Sequence, residues 1–273
     1  MPAVSASHQT KTFKANRSHG RISLSVGASG GRSRRKQVYE DGALRVRFPN
    51  GDDLEAMIVN TAGGMAGGDR FSFEARVGEG ASLTVTTAAA EKVYRSLGDD
   101  TVVDVRLKIE RGGTLRWLPQ ETILFDAAQL RRAIDIELAV DATLVMAEAV
   151  VFGRTAMDEA MRQGRLFDRW RVRREGQLVF ADTTNLSGDV TGQLAHVAAA
   201  RGCVAVATVF IAPGLDTQVA AVSERDYAGE VGISAWNGIA LARLVAQNGE
   251  TLRRDLRQVL LALGGTLPRL WLN

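Results

Sequence analysis

The sequence predicts a mainly β protein with a few helices. Apolar and polar residues alternate in run after run, turn residues break these runs about every ten positions, and helical spacing shows only near the C-terminus. Such a pattern suits a sandwich, a barrel or a β-solenoid. No repeat of fixed length is visible, so periodicity alone does not select the solenoid. With 273 residues and 45% hydrophobic content the chain can bury a sizeable core as a single domain. Its parts read as a disordered basic tail over 1–18, a β-rich body over 19–202, and a C-terminal segment over 203–273 packed on the same body.

Arg21-Ile-Ser-Leu-Ser-Val26 alternates as a strand, as do Leu44, Val46 and Phe48 before a Pro-Asn-Gly-Asp turn. Next comes Asn60-Thr-Ala-Gly-Gly-Met-Ala-Gly-Gly-Asp69-Arg70, around which the chain is organised. Four glycines in six positions (Gly63, Gly64, Gly67, Gly68) cannot form an element interior and must shape a turn or a close approach of backbones. They present Asp69 and Arg70 at the mouth of a strand, Phe71–Val77. A phosphate-cradling loop is the alternative, but the Gly-Lys-Ser/Thr ending is absent and no helix follows. Strand alternation resumes at Leu83 and Val85, over Val103–Ile109 and over Ile134–Val140. Thr143–Phe152 differs, being apolar on both parities like a strand covered on both faces, with Glu148 alone inside it. After Cys203 a strand over Val204–Ile211 meets Pro213-Gly214. Leu215, Val219 and Val222 have helical spacing, two short strand-like runs follow near 229–235 and 238–245, and Leu252, Leu256, Val259, Leu260 and Leu263 mark the clearest helix.

Charge is unevenly spread. Eight of the 34 basic residues and none of the 31 acids lie in 1–39, so 40–273 carries 26 against 31. The composition suggests no basic face for nucleic acid on the folded body. No apolar run approaches the ~20 residues that span a bilayer. A single cysteine, Cys203, fits a reducing cytoplasm.

Catalytic constellations are scarce. His8, His19, His196 and Cys203 show no ligand spacing for a closed metal site. Gly27-Ala-Ser29-Gly-Gly31 formally matches a nucleophile elbow, which makes a Ser29–His196 β-sandwich hydrolase an alternative, yet no helix follows the serine. No dinucleotide fingerprint exists. The residues therefore favour a non-enzyme. What stands out are acids in β surroundings: Asp69, Glu121, Asp126, Glu148 and Asp182. A carboxylate such as Glu148, in a wholly apolar strand, must be paired, protonated or turned to internal water.

Five ordered segments resemble a known family. Ala62–Asp69 resembles its Gly-Gly-x-x-Gly-Gly-Asp signature, with Thr61-Ala62 where two prolines are usual. Glu91-Lys-Val-Tyr94-Arg95-Ser96 is similar to its Lys-Phe-Tyr-Arg-Ser segment, with Val93 replacing the aromatic. Trp117–Phe125, Gly153-Arg154 and the closing Leu267-Pro-Arg-Leu-Trp271 also fit. On these motifs the chain is identified as a member of the UreD (UreH) family of urease accessory proteins. The resemblance implies a β-superhelix with two helices in the C-terminal third, and a cytoplasmic non-enzyme. It implies apo-urease, UreF and the GTPase UreG as partners, and no membrane or nucleic-acid partner. Homo-oligomers would arise through that complex. It further implies nickel insertion into urease with Ni(II) in transit, no tightly bound cofactor, and GTP only on UreG. Asp69 and Glu148 match acids of a nickel tunnel, with Asp182 and Glu121 as further candidates. Gly63, Gly64, Gly67, Gly68, Arg70, Tyr94, Arg95 and Arg154 are the motif and interface set. A scaffold that opens urease without carrying nickel is the alternative.

Overall fold

The computed structural model describes residues 17–154 and 157–272. The expected basic tail therefore lies outside the described residues, apart from Arg17 and Ser18. Alternation produces the elements in chain order. β1 (His19–Ser29) and β2 (Arg32–Gly42) form a hairpin, followed by β3 (Leu44–Arg47) and β4 (Glu55–Asn60). Then come β5 (Arg70–Val77), β6 (Ser82–Thr87), β7 (Glu91–Val93), β8 (Thr101–Ile109), β9 (Thr114–Trp117), β10 (Thr122–Leu124) and β11 (Gln129–Leu138). The long β12 (Thr143–Arg154), the short β13 (Glu159–Ala160), β14 (Gln163–Arg174) and β15 (Gln177–Asp189) complete the body. The C-terminal part is α1 (Val190–Ala195), β16 (Ala205–Ala212), α2 (Asp216–Ser223), β17 (Glu230–Trp236), β18 (Ile239–Ala246) and α3 (Gly249–Ala262).

The strands wind as a β-solenoid. β1, β5, β8, β11 and β14 lie parallel in a seven-stranded sheet, with β2 and β15 antiparallel at its two edges. β4, β6, β9 and β12 lie parallel in the facing sheet, which β3 borders on one side and β16, β18 and β17 extend antiparallel on the other. A short third face is made by β7, β10 and the end of β12. The coils are unequal: Arg70 pairs with Val102, Val102 with Arg131 and Arg131 with Phe167, steps of 32, 29 and 36 residues. That inequality hides the repeat from any search at fixed period.

Two apolar cores divide the strand faces by parity. Leu144, Met146, Val150 and Phe152 of β12 face the core between the sheets, with Phe73, Trp117, Ile134 and Trp170. Ala147, Ala149 and Val151 face a second core under α2 and α3, with Leu252, Leu256, Val259 and Trp271. This two-sided burial explains the apolar run on both parities. α3 begins at Asn248, whose side chain accepts from the Thr251 N–H at 2.8 Å. Helical spacing puts Asp255 among the arginines of the outer face, yet it is buried and accepts from the N–H groups of Ala228 and Gly229. The expected helices are α2 and α3, and α1 is an additional short one. Among the described residues no helix is long and apolar enough to cross a membrane.

Candidate functional site

β12 serves two faces of the solenoid and bends between them. Thr143–Met146 pairs with β9, Val150–Phe152 pairs with β10, and Ala147-Glu148-Ala149 spans the junction opposite the 118–121 loop. Glu148 shares the inward parity of Met146 and Val150, so its carboxylate enters the core between the sheets. Arg132 meets it there, on the inward parity of Leu130 and Ile134 in β11, and Asp168 is the register neighbour of Arg132 on β14. All three side chains are almost fully enclosed, at 5%, 5% and 10% exposure for Arg132, Glu148 and Asp168. Arg132 grips Asp168 with two bonds, Nε to Oδ1 at 3.0 Å and Nη2 to Oδ2 at 2.6 Å. Its Nη1 donates to Glu148 Oε2, and the Trp117 indole donates to Glu148 Oε1 at 2.7 Å.

Burial pushes the Glu148 pKa up, while Arg132 and the Trp117 N–H pull it back. Both carboxylate oxygens accept from N–H donors, an arrangement that suits the ionised form. Burial also works against the Arg132 charge, but Asp168 and Glu148 outweigh it and hold the guanidinium protonated. One guanidinium thus faces two carboxyl groups, and burial together with Asp168 leaves the Glu148 pKa above its ordinary value.

This group borders a cavity of about 100 Å³ between the sheets. Glu148, Arg132, Gln120, Glu91, Asn60 and Thr122 contribute polar surface, while Met65, Phe71, Val105 and Trp117 contribute much of the apolar wall. Burial raises the Glu91 pKa, partly offset by the Asn60 Nδ2 bond at 3.0 Å. Gln120 is buried, and its Nε2 has no hydrogen-bond partner.

Asp69 does not line this cavity. It is 5% exposed, and its two oxygens accept from the Ser18 and Ala66 backbone N–H groups, each at 2.8 Å. The carboxylate thereby closes the glycine loop on itself and ties the start of β1 to it. Two glycines have steric reasons. A Cβ on Gly64, whose φ is +150°, would fall 2.5 Å from the Tyr94 ring, and one on Gly67 would fall 2.6 Å from the Asp99 carbonyl oxygen. Gly63 and Gly68 also have positive φ, and Arg70 opens β5 in register with His19.

The motif residues converge. Tyr94 donates to the Gly63 carbonyl at 3.0 Å and meets Phe125 edge-on, with ring centres 5.1 Å apart. Arg154 lies over the other side of this arrangement, 4.1 Å from the Phe125 ring centre, and pairs with Glu159. Arg95 bridges to Ala128 through its backbone, with an exposed side chain. Segments scattered over about ninety residues thus stack along one corner of the solenoid, where successive coils pass from one sheet to the other, and the glycine loop joins that corner to the cavity through Asn60 and Met65.

The remaining acids stand apart from each other. Glu121 pairs with Arg253 of α3 at 3.1 Å, Asp182 pairs with Arg243 of β18 at 2.7 Å, and Asp126 accepts from the Arg162 and Gln163 N–H groups. Among the described residues no three His, Cys, Asp or Glu side chains gather as a metal-holding group. Ser29 and His196 cannot cooperate. Ser29 ends β1, whereas His196 follows β15 and α1 at the opposite edge and opposite end of the seven-stranded sheet. Gly30 and Gly31 make a hairpin turn with both φ positive, which disposes of the nucleophile elbow. Burial and Glu230 raise the Cys203 pKa, contrary to what a nucleophile needs. Arg132 and Asp168 were not singled out from sequence, and Glu91 and Gln120 stood in the matched segments with no role given to them. The readable signal was Arg132 and Asp168 occupying the apolar parity of their strands.

A family model described as UreD urease accessory protein matches residues 18–272. The chain belongs to the UreD family. It is 51% identical over 278 residues to urease accessory protein UreD 3 of a Bradyrhizobium species, covering all of both chains. It is 53% identical over 266 residues to the UreD urease accessory protein of Rhodopseudomonas palustris strain BisB5, covering 96% of this chain and 94% of that one. The UreD family is one of accessory proteins, and this member is not an enzyme.

Proposed function

We propose that this chain serves urease maturation by binding apo-urease and, with UreF and the GTPase UreG, passing Ni(II) to the urease active site through the cavity at Glu148. GTP stays on UreG, no cofactor is held here, and the complex assembles in the cytoplasm. The observation that carries the reading is a mainly apolar cavity between the sheets into which the Glu148 and Glu91 carboxylates are set. Hard carboxylate oxygens hold a divalent ion loosely compared with imidazole or thiolate. Arg132 already occupies one oxygen of Glu148, which weakens capture further. An ion in transit must be released, and this chemistry favours release.

Of the sequence-proposed path residues, Glu148 carries the route, and Glu91 joins it. The commitments of Asp69, Glu121 and Asp182 to other partners favour a second reading, in which the chain props urease open while its partners carry nickel. Val105→Phe, which narrows the cavity, and Glu148→Gln separate the two. If nickel passes here, both variants lower urease activation while still copurifying with apo-urease and UreF. Full activation by both variants would falsify the conduit and leave the scaffold.

A further inference from the structure

One wall of the cavity is a buried loop that separates it from the second core under α3. Leu118–Glu121 joins β9 to β10; Pro119 and Gln120 line the cavity from this loop. Its outer side is held by groups more than 130 positions away in the chain. Arg253 of α3 donates to Gln120 Oε1, to both Glu121 oxygens at 3.1 and 3.2 Å, and to the Leu270 carbonyl at 3.1 Å. The Trp271 indole donates to the Leu118 carbonyl at 3.0 Å, and the Arg253 guanidinium sits 5.5 Å from the Trp271 ring centre. One guanidinium therefore fastens the loop and the C-terminal segment together. It also fixes Gln120 by its oxygen, which turns the partnerless Nε2 the other way.

We propose that the 118–121 loop is a door on the Glu148 cavity, with Gln120 as its inner face and Arg253 and Trp271 as the positioning residues that latch it. Lifting the C-terminal segment frees Leu118 from Trp271, and release of Gln120 and Glu121 by Arg253 then opens the wall beside Glu148. The door gives the proposed nickel route a mouth, and in that role it rests on the cavity reading. Its physical existence does not.

Hydrogen exchange of the full chain tests the latch without nickel. Arg253→Lys keeps a charge but loses the planar fork. Trp271→Phe keeps an aromatic ring in the core but loses the N–H. Each is expected to speed exchange in 118–124 by about tenfold while β5 and β8 hold their protection. Unchanged exchange in 118–124, or an equal rise everywhere, overturns the latch. Urease activation by the same variants then reports on the route. Faster local exchange with unaltered nickel-dependent activation upholds the door and rejects the nickel path.

Discussion

At the scale of single residues, the interior charge is decided by how it is matched. Arg132 has two carboxylates within bonding distance and no water-facing alternative. Arg132→Met strands Glu148 and Asp168 without a cation, and should cost about 3–5 kcal/mol of stability in denaturant titration. A loss under about 1 kcal/mol would mean the carboxylates find another partner. Glu91 behaves differently, because burial raises its pKa above the ordinary 4.5. Its folded state then binds the proton more tightly than the unfolded chain. The resulting stability is present below that value and is lost as pH rises through the folded pKa. Glu91→Gln should therefore raise the melting temperature at neutral pH, with the gain fading toward pH 4.5; a gain independent of pH would refute the assignment. The sequence exposed Glu148 because its strand is apolar on both parities. Arg132 stayed hidden because arginines are common on these strands, and only its parity with Leu130 and Ile134 distinguishes it.

At the scale of elements, the glycine loop and β12 set the geometry of the site. The loop was legible as a turn, and its glycines answer to Tyr94 and Asp99 across space. Gly67→Ala forces a methyl against the Asp99 carbonyl, so we expect a loss of about 1–3 kcal/mol. Asp69→Ala leaves the Ser18 and Ala66 N–H groups without acceptors, and should cost a similar amount. Limited proteolysis near residue 18 would then proceed faster in the Asp69 variant, whereas a parent-like digestion rate would deny Asp69 its tethering role. The strand runs at 103–109, 134–140 and 204–211 and the last helix could be read from sequence pattern, although the second strand ends at Leu138 and the third starts at Ala205. α1 could not, being six residues long, and neither could the inward turn of Asp255, which depends on N–H donors 26 and 27 positions away.

At the scale of the whole molecule, the solenoid was reached through resemblance because its unequal coils leave no period. The pairing of the two cores through β12 is likewise a property of the assembled chain. The C-terminal segment completes the second core with Trp271, a side chain 1% exposed. Truncation after Gly264 removes it, with an expected loss of about 3–5 kcal/mol, read as a lowered melting temperature. Copurification with apo-urease should fall in step with the folded fraction.

The parallel runs of the two main sheets each meet an antiparallel strand at both flanks: β2 and β15 on one sheet, β3 and β16 on the other. A parallel stack left open would offer its next rung to any chain of the same kind. Here the reversed strands present the wrong polarity for another coil, and β2 adds Arg32, Arg34, Arg35 and Lys36 along its rim. The reversed strands thus end the winding of both main sheets and disfavour end-on addition of another copy there.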